Sequence, residues 1–362
     1  MKRIICSPSK YIQGKGEISN ISSYASALGK KGVYAIVDSF VLESYHDKIE
    51  AGFKKGKLKL TTWKFSGESS QKEIDTIKAD LKKSGCDVIA GIGGGKTLDT
   101  AKAVGYYAEL PVIIIPTIAS SDAPCSALSV IYKENGEFER YLILRKNPDV
   151  VLVDTEIITN APVRLFVSGM GDALATYFEA RACHQSHAQT MAGGECSNSA
   201  MALAEKCIDT LFEDGLKAKF AIENKTISQA VENIVEANTY LSGLGFESGG
   251  LAAAHAIHNG MTVLKETHKM YHGEKVAFGT LVHLALENAP LEEIEEVIAF
   301  CKEVGLPINL HNLGVRNITE EKVRKVAQAS CAEGETIYNM PFEVTVESVM
   351  SAIYVAHKLG SM

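Results

Sequence analysis

Four of the chain's ten histidines, His255, His258, His268 and His272, fall within one 18-residue window. His255 and His258 are three residues apart and His268 and His272 four apart, so on helices either pair turns both rings to one side. Imidazoles grouped in this way suit a metal, because zinc takes nitrogen and oxygen donors in a tetrahedral set and keeps a position open where it is catalytic. A carboxylate must then come from elsewhere. Asp172, in Ser168-Gly169-Met170-Gly171-Asp172-Ala173, is the candidate, since the two glycines before it allow its backbone close to another element. Gly243, Gly245, Gly249 and Gly250 ahead of His255 permit the same closeness. Against this stands the plainer reading, in which single histidines of the group are core or surface residues. Cys183-His184-Gln185-Ser186-His187 also holds ligand-type side chains, but with no further acid or thiol beside it the stretch reads as a solvated helix end. The sequence has neither the His-Glu-x-x-His metalloprotease pattern nor the Gly-x-Ser-x-Gly nucleophile elbow.

A second centre of chemistry is Ala90-Gly91-Ile92-Gly93-Gly94-Gly95-Lys96-Thr97, between an expected strand and an expected helix. Unhindered backbone N–H groups at a helix N-terminus favour a phosphate. A Walker A loop would need glycine where Ala90 stands, although Gly95-Lys96-Thr97 fits and Val150 to Asp154 imitates a Walker B strand. The dinucleotide fingerprint GxGxxG would need glycine in place of Lys96. A tight turn without a ligand is the third reading. Asp38 ends the run Val33 to Val37, where a carboxylate accepts from the ribose hydroxyls of NAD and repels the extra phosphate of NADP. With Ser39 it could equally cap the next helix. Thr117-Ile118-Ala119-Ser120-Ser121-Asp122 leaves a strand at Pro116 and carries hydroxyls to the carboxyl edge of a sheet, where such folds bind ligands.

These residues need a frame. From residue 1 to 162, β-branched runs alternate with helical patterns: Val33–Val37, Lys59–Phe65, Asp87–Gly91, Pro111–Pro116 and Val150–Val153 read as strands, with helices between the first four. Crossovers of that length imply a doubly wound, Rossmann-like parallel sheet, and Ser129 to Ile143 reads as a β-hairpin about Asn135-Gly136 at its edge. After Pro162 the pattern turns helical to the end, so residues 163–362 form an all-α domain. The 362 residues, 46% hydrophobic and 22% charged, are ordinary globular values for about two domains. A formal charge of -7 offers no basic field to nucleic acid or to anionic lipid. The apolar run before Ser7-Pro8 is shorter than a signal-peptide core, and eight cysteines lack any CxxC pair, so a cytoplasmic, reduced setting is expected.

Four motifs converge on a known family. Gly93-Gly94-Gly95-Lys96 with Asp99 and Lys102, Gly169-Met170-Gly171-Asp172-Ala173-Leu174-Ala175-Thr176, Ser248 through His255 to Gly260, and His272-Gly273-Glu274-Lys275-Val276-Ala277 resemble the iron-containing alcohol dehydrogenase superfamily, in its zinc-dependent, glycerol-oxidising branch. The resemblance spans nearly the whole chain. It implies a dehydroquinate synthase-like architecture, with residues 1–162 binding NAD through a Gly-Gly-Gly-Lys turn and residues 163–362 holding the metal. It makes Asp172, His255 and His272 the ligands of Zn2+, and places Asp122 beside the substrate. Asp38, Gly94, Gly95, Lys96, Asp99, Thr117, Ser120, Ser126, Leu128 and Tyr132 would line the NAD site, while His258 and His268 would not be ligands. The iron-dependent members take a fourth ligand, a histidine at the position of Thr176; its absence here favours zinc. The implied reaction oxidises glycerol, or 1,2-propanediol, to the hydroxyketone, in a homo-oligomer up to an octamer. The rivals are glycerol-1-phosphate dehydrogenase and dehydroquinate synthase, which share the architecture and want cations such as Lys265, Lys269 or Lys275 near the metal; a P-loop nucleotidase; and an NAD-binding protein without catalysis.

Overall fold

The computed structural model describes residues 2–56, 58–65 and 67–362. Its first half runs β1 (Tyr11–Gly14), α1 (Ile21–Leu28), β2 (Gly32–Asp38), α2 (Ser39–Lys54), β3 (Lys59–Phe65), α3 (Gln71–Ser84), β4 (Val88–Gly93), α4 (Gly95–Ala108), β5 (Val112–Pro116), β6 (Leu128–Tyr132), β7 (Phe138–Ile143) and β8 (Val150–Asp154). Six strands form one parallel sheet in the order β1-β8-β5-β4-β2-β3. Because side chains alternate along a strand, Tyr34, Ile36, Ile89, Ile114 and Val151 enter one core with α3 and α4. Val33, Ala35, Val88, Ala90, Ile113 and Leu152 enter the other with α1 and α2. Burial on both faces explains why the central strands read as unbroken apolar runs.

The hairpin forms as expected, turning at Asn135-Gly136 with Gly136 at φ 84. It is not an edge of the large sheet, however: β6 and β7 make a separate two-stranded antiparallel sheet. The edge beside β8 is taken by β1, a four-residue strand of half-buried Tyr, Ile, Gln and Gly that shows no β-branched run to announce it.

From α5 (Thr155–Asn160) onward the chain is helical: α6 (Val163–Ser186), α7 (Asn198–Glu223), α8 (Gln229–Glu236), a π-turn over Ala237–Leu241, α9 (Ser242–Gly249), α10 (Ala253–Met261), α11 (His272–Leu286), α12 (Leu291–Val304), α13 (Glu320–Ser330) and α14 (Val346–Leu359). Ser197, Ser228, Thr319 and Thr345 each accept a backbone N–H at a helix start, worth about 1 kcal/mol apiece. The core on the α3/α4 face of the sheet continues without a break into these helices.

At the centre is α6, buried at every position from Phe166 to Thr176 and so without a solvent face there. Its neighbours come unusually near. A Cβ on Gly273, in the first turn of α11, would lie 1.8 Å from the carbonyl oxygen of Ser168, and one on Gly169 would lie 1.9 Å from that of Ala119. These approaches bring α11 and the segment after β5 against α6. Gly273→Ala is therefore expected to cost about 1–3 kcal/mol or more and to lower the thermal unfolding midpoint, whereas Gly67→Ala, whose Cβ meets no heavy atom within 4 Å, should leave it unchanged; equal midpoints for the two would refute the packing account.

Candidate active site

Asp172 sits in mid-α6, His255 in the first turn of α10, and His272 opens α11. One ligand atom from each lies within 4.8 Å of the other two. His272 Nε2 is 3.0 Å and His255 Nε2 3.4 Å from Asp172 Oδ1, yet that oxygen, fully buried, has no hydrogen bond of good geometry. An orphaned carboxylate oxygen facing two ring nitrogens is a poor hydrogen-bonded cluster and a good cation site. Donors each about 2.0–2.1 Å from a tetrahedral zinc stand roughly 3.3 Å apart, close to the spacing found. His272, 42% exposed at its side chain, opens the group to solvent on one side.

Charge in this cluster is strongly redistributed. Burial alone would raise Asp172, but the imidazoles of His272 and His255 outweigh it and hold the carboxyl well below the usual range. Asp122 moves the opposite way, pushed far up by burial and by the charge of Asp172. Its backbone N–H donates to Asp172 Oδ2 at 3.2 Å, and its own Oδ2 accepts from Ser242 Oγ at 2.9 Å. Thr176, one turn beyond Asp172, bonds that same Ser242 hydroxyl at 2.9 Å.

The other histidines of the window part company. His258 Nε2 is 3.0 Å from His272 Nδ1, on the side of that ring away from Asp172, and burial with the nearby His272 and Lys275 pushes it well below its ordinary pKa. His268 contacts the carbonyl of Thr262 at 3.0 Å and stays outside the cluster. Glu179, which the sequence reading passed over, comes in: its carboxylate is 2.6 Å from His255 Nδ1. Two helical turns separate it from Asp172, and that spacing on one helix face was the available signal.

At the sheet end, β2 and β3 lie to one side of β4 while β5 and β8 lie to the other, so the crevice where the strand order reverses lies between the ends of β2 and β4. Asp38 and the glycine run flank it: a Cβ on Gly93 would lie 2.8 Å from that of Asp38. Gly95 opens α4, and a Cβ there would meet no heavy atom within 4 Å, leaving room for a phosphate at the helix N-terminus. Lys96 pairs with Glu68 at 2.6 Å and stands over the Tyr132 ring. Asp38 caps α2 through Phe40 and Val41 N–H at 2.9 and 3.3 Å, so the capping reading holds whatever else the carboxylate does.

Thr117 follows β5 and donates its N–H to the Gly93 carbonyl at 3.1 Å. Ser120, Ser126 and Leu128 lie along the segment from there into the hairpin, where Ser126 Oγ donates to the Ala123 carbonyl at 3.3 Å. Asp99 is buried, paired with Lys102 at 2.9 Å, and accepts from Val130 N–H at 3.2 Å, so its carboxylate faces the hairpin. Lys102 in turn donates to the carbonyls of Ala123 and Leu128. The Walker B imitation fails because the Asp154 carboxylate is fully buried, accepting the N–H groups of Gly16, Ile18 and Glu156.

Comparison with known proteins agrees with this arrangement. Residues 8–155 match the iron-containing alcohol dehydrogenase family. The chain is 55% identical over 360 residues to a glycerol dehydrogenase of Citrobacter freundii, covering 99% of this chain and 98% of that one. It is 52% identical to a glycerol dehydrogenase of Thermotoga maritima, covering 98% and 97%. The crystal structure of a probable glycerol dehydrogenase from Sinorhizobium meliloti superposes with a TM-score of 0.94 at 44% identity, covering 99% of each chain. With full-length identity above one half and the same fold end to end, the chain belongs to the glycerol dehydrogenases of the iron-containing alcohol dehydrogenase family.

Proposed function

We propose that this protein oxidises glycerol to dihydroxyacetone with NAD as hydride acceptor, at a zinc ion held by Asp172, His255 and His272. The observation that carries the reading is the buried Asp172 oxygen, without a hydrogen bond, facing the Nε2 atoms of both histidines. A zinc ion bound there supplies Lewis acidity, lowering the pKa of a coordinated hydroxyl.

The chain's own residues do the rest. Asp122 N–H holds one oxygen of Asp172 and turns the other toward the histidines. Asp122 has one carboxyl oxygen tied to Ser242, which leaves the other to hold a substrate hydroxyl and so orient the diol. The α4 N-terminus at Gly94 and Gly95 takes the diphosphate of NAD, with Lys96 leaving Glu68 to join it. Asp38 accepts from the adenosine ribose and disfavours NADP. Thr117, Ser120, Ser126, Leu128 and Tyr132 line the cofactor's path toward the metal, and Asp99 shapes it from beneath by pinning the hairpin to α4.

In this reading residues 1–162 carry the cofactor and residues 163–362 the metal. 1,2-Propanediol, which keeps the vicinal hydroxyl pair, is a second substrate. A cytoplasmic homo-oligomer, up to an octamer, is part of the same proposal, supported by the exposed apolar Tyr354 and Val355 on the outer helix α14. Among the described residues no helix is long and apolar enough to cross a membrane.

Glycerol-dependent NADH formation should vanish on chelation and return best with zinc. Asp172→Asn or His272→Ala should lower kcat/KM about a thousandfold, a loss of several kcal/mol of transition-state stabilisation, while NADH binding by fluorescence persists; a ligand variant with near-parental turnover would sink the assignment. Asp38→Ser keeps a helix cap but removes the negative charge, so the kcat/KM preference for NAD over NADP should fall roughly tenfold or more. An unchanged preference would take Asp38 out of the cofactor site.

A further inference from the structure

Glu179 is fully buried, and its two oxygens do different things. Oε1 accepts the backbone N–H groups of Ala252 and His255, each at 2.9 Å. These belong to the start of α10, where a helix leaves its first amides unpaired, and where the N-cap residue is Ala252, with no side-chain acceptor of its own. Oε2 is 2.6 Å from His255 Nδ1. An ionised carboxylate only accepts, so the hydrogen in that contact sits on Nδ1. Nε2, the ring nitrogen that faces Asp172, is then the one whose lone pair becomes available to a metal. His283 also acts on Glu179 electrostatically, but its Nε2 lies 3.6 Å from Glu287 Oε2 and neither ring nitrogen hydrogen-bonds Glu179, so it does not draw the carboxylate away from His255.

We propose that Glu179 is the positioning residue of the metal centre: it starts α10 and fixes the His255 ring with Nε2 as donor. The inference rests on the metal reading above. It also accounts for charge. Asp172 and Glu179 flank His255 with one carboxylate on each ring nitrogen, and two buried negative charges balance a dication where one would not. A glutamate that served only as a helix cap would need no contact with the ring. The Glu179 contact is the second partner that metal-bound histidines ordinarily have, and its removal typically weakens metal binding by about 10–100-fold.

Glu179→Gln separates the two roles. Its amide oxygen can still accept the two backbone N–H groups, but its NH2 then meets Nδ1 and drives the ring hydrogen onto Nε2. If the amide flips to suit the ring, its NH2 faces two backbone N–H donors. The experiment titrates Zn2+ against a fluorescent chelator in the metal-stripped, full-length parent, E179Q and E179A, with NADH binding and thermal unfolding measured on the same preparations. E179Q is expected to melt and bind NADH like the parent yet hold Zn2+ about 10–100-fold more weakly, and E179A to melt lower as well. Zinc affinity of E179Q within threefold of the parent, with the melt unchanged, overturns the proposal. A parent that takes up no zinc overturns the metal reading and this inference with it. Ring-15N-labelled histidine in the zinc-loaded parent gives a test independent of any variant: a hydrogen on His255 Nδ1 supports the proposal, and a hydrogen on Nε2 overturns it.

Discussion

A carboxylate in the middle of a buried helix has to be answered by charge, and most of this architecture serves that one demand. Asp172 is 1% exposed on a helix with no solvent face around it. Left alone, an ionised group there would be destabilising by several kcal/mol. The answer comes from two other helices, His255 on α10 and His272 on α11, and α11 comes close enough for its backbone nearly to touch that of α6. Gly273 makes that possible on α11, where any side chain would strike the carbonyl of Ser168. The helix-to-helix distances, the absence of side chains at the contact, and the electrostatics of the cluster are thus one constraint seen three ways. The same cluster that would strain a metal-free protein becomes favourable when a cation enters, so stability and metal loading are linked.

Buried polar contacts join the sheet to the helices alongside the apolar core they share. Asn238, on the π-turn, donates to the carbonyls of Ala119 at 3.0 Å and Phe166 at 3.1 Å, tying the segment after β5 to α6. Glu247, on α9, accepts from Ala127 N–H at 2.9 Å and from Asn147 at 2.5 Å. Lys102 reaches from α4 to the same segment. Residues 117–128 are therefore held from both sides, with Thr117 beside the glycine turn and Asp122 beside Asp172. In the proposed reaction a hydride passes between a cofactor on the sheet and a substrate on the helices, and this doubly anchored segment would set the distance between them.

The sequence made some of this plain and hid the rest for physical reasons. The parallel sheet was legible because strands buried on both faces read as near-continuous apolar runs rich in β-branched residues, as Val33–Val37 and Val112–Ile115 do. The histidine window stood out because clustering of a rare, chemically versatile residue has few causes. Glu179 stayed hidden because a buried glutamate and an exposed one look alike in a string; only the helix spacing from Asp172 and the contact with His255 distinguish it. The helix α9 was obscured by its glycines, which disfavour a helix in isolation but let it lie against α6, where a side chain at Gly245 would collide with Thr176. The hairpin's place was beyond reach because an Asn-Gly turn fixes the pairing of its two strands and says nothing about what they pack on.

Thr176 shows how a departure from a family pattern is absorbed by its surroundings. At the position where the family resemblance implies a fourth ligand in iron-dependent members, this chain has a hydroxyl that bonds Ser242, and Ser242 in turn bonds Asp122. The position one turn beyond Asp172 thus anchors the acid proposed to hold substrate. A larger ring at Thr176 would meet the backbone of α9 at Gly245, so the smaller residue and the glycine belong together. Thr176 thus takes part in a hydrogen-bonded chain that fixes a carboxyl beside the cluster. In the proposed site this leaves three protein donors and an oriented acid, a combination suited to a substrate that brings two adjacent hydroxyls of its own.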